Sequence, residues 1–328
     1  MDSGTHLVMG LGLAGLASID PVIAGDQTLH AAVLIGTVVG SQAPDMDGVL
    51  RLKSNALYIR NHRGASHSIP AILIWAVLIT AILELIFGFH LPWLHVGGWV
   101  LLAVCVHVFS DLFNTYGTQA ARPFTEKWIS WNIIHIFDPV IFVTHLIAIV
   151  LWALRIGNPT IIFPSLYAFL IVYYIWRTVV HRALGKQMIR IDAVHEEGDQ
   201  YVLIPTISLY DWNVVKRRAD GSFFIGDFRH GKLRWMDRAK CSDHPAVEKS
   251  KNDHSIRAFL YFTSFACAEV QEHPWGYEVR WSDVRYRHRK QYPFVGVLLM
   301  DTEYQTLGSY VGWLSEDRLQ KRLRMNTY

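Results

Sequence analysis

Two patterns of hydrophobic and polar order divide the chain. Before about Arg182 the apolar residues fall in long uncharged runs; after it they mix with charged residues over short stretches. Residues 68–87, 97–113, 139–154 and 161–180 predict four long membrane helices. Two earlier runs, residues 5–18 and 28–43, fall short of the roughly 20 residues a straight span needs. Their Gly and Ala content predicts short helices, in a shallow hairpin or packed through small-residue faces, with Pro44 ending the second. Beyond Leu184, residues 188–194, 201–206, 222–228, 232–236, 265–272, 277–280, 294–301 and 306–313 predict short strands. Asp220-Gly221 and Arg229-His230-Gly231 suit hairpin turns. Residues 255–264 and 315–323 predict helices. The expected fold is an α-helical membrane bundle, four long spans plus two short N-terminal helices, followed by a small β-rich soluble domain. The division is 1–186 for the membrane-embedded part and 187–328 for the soluble part.

Composition supports the membrane assignment. The 328 residues are 51% hydrophobic and only 18% charged, with a mean hydropathy of +0.19, which is unusual for a soluble protein. A net charge of +3 gives no reason to expect a nucleic-acid partner. Cys105, Cys241 and Cys267 are scattered with no CxxC, so neither a disulfide framework nor a cysteine zinc site is expected. Asp2, with no Lys or Arg before the first apolar run, argues against a secretory signal peptide. Arg51, Lys53, Arg60, Arg63, Arg122, Lys127, Arg177, Arg182, Lys186 and Arg190 share one side of the predicted topology, against Arg155 on the other. That asymmetry predicts an inner-membrane protein with a cytoplasmic C-terminal domain.

The candidate chemistry lies on the same side. Ala43-Pro44-Asp45-Met46-Asp47 and His62-Arg63-Gly64-Ala65-Ser66-His67 flank a basic linker, and His107 and Asp111 are an i, i+4 pair near the end of an apolar helix. Carboxylates and neutral imidazoles are ligands for Zn²⁺, Mn²⁺ or Fe. Ionisable groups clustered beside membrane spans call for a function. The candidate metal ligands are His6, Asp45, Asp47, His62, His67, His107, Asp111 and Asp138, for one or two divalent ions, zinc first. A lone terminal His6 is a weak ligand candidate, and Asp138 before Pro139 suits a helix N-cap slightly better than a ligand role. Such an ion lowers the pKa of bound water to about 7, and a neighbouring carboxylate can take the proton. Asp47, Arg63 and Asp111 are the candidate catalytic residues, Arg63 as a fork for an anionic substrate group. Residues 114–118 suit ligand or substrate orientation and, at least equally, a helix C-cap with Gly117 left-handed. Arg285, Arg287, His288, Arg289 and Lys290 form a basic run, read as a solvated face before a lipid or nucleic-acid contact.

These residues resemble the YdjM/YfhP-like family of membrane-bound metal-dependent hydrolases. The likeness rests on Thr5-His6, residues 40–47, residues 58–68, residues 107–114 and 116–119, and Phe137-Asp138-Pro139, covering roughly the first 180 residues. Ser66 stands where the family usually has Thr, one hydroxyl for another. The resemblance implies a divalent metal, and a distant likeness to zinc phospholipase C and nuclease sites implies phosphoester hydrolysis. Because the site falls at headgroup depth, the expected partners are membrane lipid and a phospholipid or lipid-linked anionic substrate. The alternative is a membrane-anchored regulatory or binding protein whose His/Asp cluster is structural or metal-sensing. A transporter ranks last, because the polar groups gather at one end of the spans.

Overall fold

The computed structural model describes residues 1–286 and 292–313. The expected helix at 315–323, and Arg287, His288, Arg289 and Lys290 of the basic run, lie outside the described residues. Two units alternate along the chain. The first comprises Met1–Asp47, Arg63–Leu184 and Pro205–Leu209; the second comprises Gly48–His62, Gly185–Ile204 and the residues from Tyr210 onward.

Helices α1 (Ser3–Leu16), α2 (Pro21–Ala24) and α3 (Gln27–Gly40) open the chain, and α4 (Asn55–Asn61) follows in the second unit. Then come α5 (Ile69–Phe87), α6 (Trp93–Leu112), α7 (Pro139–Ala153) and α8 (Pro159–Ile191). Side-chain caps set several of the starts: Asp2 accepts from Thr5 N–H for α1, Asp26 caps α3, and Ser68 caps α5. Among the described residues α5, α6 and α8 are long and apolar enough to cross a membrane. The expected count of four long spans is not met. Helix α7 has 15 residues and is about 22 Å long, short of the roughly 30 Å hydrocarbon core. Helices α1 and α3 have 14 residues each.

The first unit holds two apolar cores. Val33, Leu83, Val96, Val100 and Val104 form one apolar core; Met9, Ile141, Phe163 and Leu170 form another. Close approach depends on glycine: a Cβ on Gly15 would lie 2.0 Å from the Phe163 ring. On α5, Ile74 and Val77 are 63% and 61% exposed, an outward apolar face suited to lipid and not to water.

The second unit carries two four-stranded sheets. The first is ordered β1 (Gln200–Pro205), β2 (Trp212–Arg217), β3 (Phe223–Arg229), β4 (Lys232–Ala239). After α9 (Pro245–Ser250) and α10 (His254–Phe262), the second runs β5 (Ala266–His273), β6 (Gly276–Asp283), β7 (Phe294–Met300), β8 (Thr306–Trp313) with antiparallel pairing throughout. Ile204, Val215, Phe223, Ile225, Cys267 and Val284 form a shared core. Helix α4, drawn from between two helices of the first unit, packs on α10 and β8. The predicted strand at 188–194 is instead the end of α8 through Ile191 followed by a turn, and Ala183, Leu184, Lys186, Gln187 and Met188 are good helix formers. Strand β2 went unpredicted. Cys241 and Cys267 are bonded to each other across 26 residues, which corrects the expectation of no disulfide.

Candidate metal centre

The site is assembled within the first unit by four residues from three short stretches. Asp45 lies in the 3₁₀ segment Ala43–Leu52, His67 in the 3₁₀ turn Ala65–His67 just before α5, and His107 and Asp111 in the last two turns of α6. One donor atom from each of these four residues lies within 4.8 Å of every other. His67 Nε2 and His107 Nε2 are 3.3 Å apart. Asp111 Oδ2 is 3.4 Å from His67 Nε2 and 3.7 Å from His107 Nε2. Asp45 Oδ1 is 3.6 Å and 3.7 Å from the same two nitrogens. His67, His107 and Asp111 are buried; Asp45 is 19% exposed and marks the open side.

The hydrogen bonds behind the rings decide where the protons are. His107 Nδ1 donates to the Ser41 carbonyl at 2.7 Å. Ser66 Oγ donates to Asp47 Oδ2 at 2.8 Å, so His67 Nδ1, 3.0 Å from that Oγ, is itself a donor to it. In the neutral rings both Nε2 atoms therefore present lone pairs inward. Asp45 Oδ1 and Asp111 Oδ2 are buried oxygens without a hydrogen-bond partner. Four electron-rich atoms thus converge with no proton between them, an arrangement that costs several kcal/mol unless a cation sits at the centre. The edges of a tetrahedron with 2.0–2.2 Å metal bonds are about 3.3–3.6 Å, and the 3.3–3.7 Å separations match that figure. The donors fit a divalent ion of the zinc type.

A second layer fixes Asp111. Arg63 donates from Nη2 to Asp111 Oδ1 at 3.1 Å and from Nη1 to Asn114 Oδ1 at 3.1 Å. Asn114 Nδ2 donates to Asp111 Oδ1 at 3.1 Å, and the Met1 amino group also contacts that oxygen. Arg63 holds φ +58°, a left-handed backbone that tightens the turn before His67. Its guanidinium is 3% exposed and braces Asp111, a different position from the substrate-facing fork expected. Asn114 Oδ1 also accepts from the Tyr116 and Gly117 amides, and Gly117 has φ +68°, so these residues both cap the helix and orient the site.

The remaining candidates fall elsewhere. His6 stacks on His107 with ring centroids 3.7 Å apart, its Nε2 3.5 Å from Asp111 Oδ1, at the edge of the group. Asp47 holds Ser66 and accepts from Arg63 N–H, supporting His67 from behind. Asp138 is a cap: it accepts from the Val140 and Ile141 amides and from the Tyr173 hydroxyl at 2.7 Å, and it stands outside the four-donor group. His62 ends α4 in the second unit, its ring 4.7 Å from that of Tyr58. The Ser41 carbonyl had no signal in the sequence, since every residue offers that group. Ser66 could have been found from the hydroxyl that the family resemblance places beside His67.

Residues 1–184 match the family described as YdjM inner membrane protein, and residues 245–323 match the YfhP C-terminal alpha/beta plait domain. The second match begins at α9 and includes α10 and the second sheet. The chain is 42% identical over 331 residues to the Bacillus subtilis (strain 168) protein named "Uncharacterized protein YfhP", covering 100% of both chains. No solved structure matches it. Membrane-length helices, a buried His/Asp group and a family match over more than half of the chain agree: this membrane protein belongs to the YdjM inner membrane protein family.

Proposed function

We propose that the protein is a divalent-metal-dependent hydrolase at the cytoplasmic face of the inner membrane, acting on a phospholipid or lipid-linked phosphoester. The observation that carries this is the convergence of two lone-pair nitrogens and two carboxylate oxygens without a proton among them. Asp45, His67, His107 and Asp111 hold the ion, zinc before manganese or iron. When bound, the ion supplies Lewis acidity toward a phosphoryl oxygen and acidifies water. Asp45, the exposed member, faces the entering substrate and is the group to take a proton there. Arg63 and Asn114 keep Asp111 Oδ2 turned inward. Headgroup depth supports a lipid substrate: His67 directly precedes one membrane-length helix, and Asp111 nearly ends another.

The test is elemental analysis of the full-length protein purified in detergent, followed by turnover of a panel of phospholipids and lipid-linked phosphoesters. One zinc or manganese per chain, with turnover abolished in Asp111→Ala, is the expected result. Protein without a stoichiometric metal would sink the reading. A second reading draws on the count of donors, because four protein ligands also complete a closed structural zinc site. A stoichiometric metal with no turnover of any phosphoester would favour that reading, a metal-stabilised membrane anchor for a binding domain.

A further inference from the structure

The second unit holds a pocket of about 260 Å³ whose wall includes Arg217, Asp220, Ser222, Lys240, Cys241 and Ser264. A cavity of about 150 Å³ admits benzene, so this one is large enough for an amino-acid-sized ligand. Two cations, Arg217 and Lys240, and one carboxylate, Asp220, are in that wall. That carboxylate, Asp220, is already bonded to the Ser222 amide and hydroxyl at 2.8 Å and 2.7 Å. The pocket therefore favours a small anion. One of its wall residues is half of the Cys241–Cys267 disulfide. The two sulfur-bearing residues are not equivalent: Cys267 is 3% exposed within the core shared by the two sheets, whereas Cys241 lines the pocket. The bond ties the chain just after β4 to β5, and so one sheet to the other. On the cytoplasmic side expected from the Lys/Arg distribution, a disulfide serves redox chemistry more often than permanent bracing.

We infer that this pocket admits an anionic low-molecular-weight thiol and that Cys241–Cys267 is a redox-active pair opened there. The thiolate attacks Cys241 Sγ, the Cys241–Cys267 bond breaks, and Cys267 leaves as a thiolate that takes up a proton. A second thiol molecule attacks the mixed disulfide, releases the small-molecule disulfide and leaves Cys241 reduced. Two thiols are oxidised, one protein disulfide is reduced, and their two protons end on the two cysteines. Access selects Cys241 as the attacked sulfur, and Arg217 and Lys240 select the charge of the reagent.

The test uses the oxidised full-length protein in detergent with three thiols of similar size: mercaptoacetate (anionic), 2-mercaptoethanol (neutral) and cysteamine (cationic). Rates of opening are compared per unit of thiolate, and the mixed disulfide is located by peptide mapping. Mercaptoacetate should open the bond about fivefold faster than 2-mercaptoethanol, with cysteamine slowest, on the scale of two exposed charge pairs. The adduct should sit on Cys241. The double variant Arg217→Gln, Lys240→Gln, both exposed positions, should remove the charge ranking while leaving the 2-mercaptoethanol rate unchanged. In Cys267→Ser, Cys241 should accumulate the mercaptoacetate adduct on exposure to the oxidised reagent. A flat or inverted charge ranking in the unaltered protein, an adduct on Cys267, or both cysteines open to alkylation after oxidation would overturn the inference.

Discussion

Ser66→Ala tests the proton assignment on which the metal centre depends. The hydroxyl accepts from His67 Nδ1 at 3.0 Å and donates to Asp47 at 2.8 Å. Its loss strips a fully buried imidazole of the acceptor that keeps the proton on Nδ1. Without an ion, the ring then gains by moving its proton to Nε2, toward the carboxylates, and metal binding must reverse that. An unpaired buried donor costs about 1–3 kcal/mol. At 1.4 kcal/mol per tenfold, the zinc dissociation constant should rise by about 5- to 150-fold, in line with the roughly 10- to 100-fold typical of groups behind a ligand. Ser66→Thr keeps the hydroxyl and should stay within about threefold of the parent protein, well inside the span set by the lost hydrogen bond. Competition titration of the detergent-solubilised protein against a chromophoric zinc chelator measures all three. If Ser66→Ala binds zinc as tightly as the parent, or Ser66→Thr binds as weakly as Ser66→Ala, the tautomer assignment fails.

Three further outcomes follow from the same contacts. Chelator treatment should lower the thermal midpoint, since saturation at about 1,000 times the dissociation constant is worth about 4 kcal/mol; scanning calorimetry with and without added zinc checks this. Asp111→Asn and Asp138→Ala should separate cleanly: the first loses the metal by elemental analysis, while the second keeps it and loses about 1 kcal/mol with the side-chain cap of α7. Burial acts to raise the Asp192 carboxyl pKa, but its bonds from Lys216, Tyr201 and Trp235 win and hold it at about 2. Its folded pKa lies below the unfolded one, so its contribution is complete above about pH 5 and is lost as pH falls toward 2. Melting curves across that range should fall in the parent and flatten in Asp192→Asn.

What the sequence made legible was whatever repeats with a period or excludes charge. The apolar run at 68–87, broken only by Glu84, reappears as α5 almost residue for residue, and the i, i+4 spacing of His107 and Asp111 did put both on one face of α6. Helix α8 was cut short because its apolar run ends near Val180 while its backbone continues on helix formers to Ile191. Strand β2 was hidden because Asn213, Lys216 and Arg217 disguise a six-residue strand in which Trp212, Val214 and Val215 are buried. The disulfide was invisible because its halves are 26 residues apart and meet only when the segment after β4 returns to β5.

The site divides along a different line. Asp45 and Asp138 both adjoin a proline at an apolar boundary, and spacing alone cannot tell a ligand from a cap. What separates them is the supply of nearby donors. Asp138 faces two free amides at the start of α7 and a tyrosine hydroxyl, so its charge is already answered. Asp45 Oδ1 faces two imidazoles whose protons are held on the far side by Ser41 and Ser66. A carboxylate that meets only lone pairs is balanced by a cation from outside the chain. That difference, set by a backbone carbonyl at Ser41 and by a Ser66 hydroxyl that Asp47 turns toward itself, is what makes a cluster of polar residues a binding site.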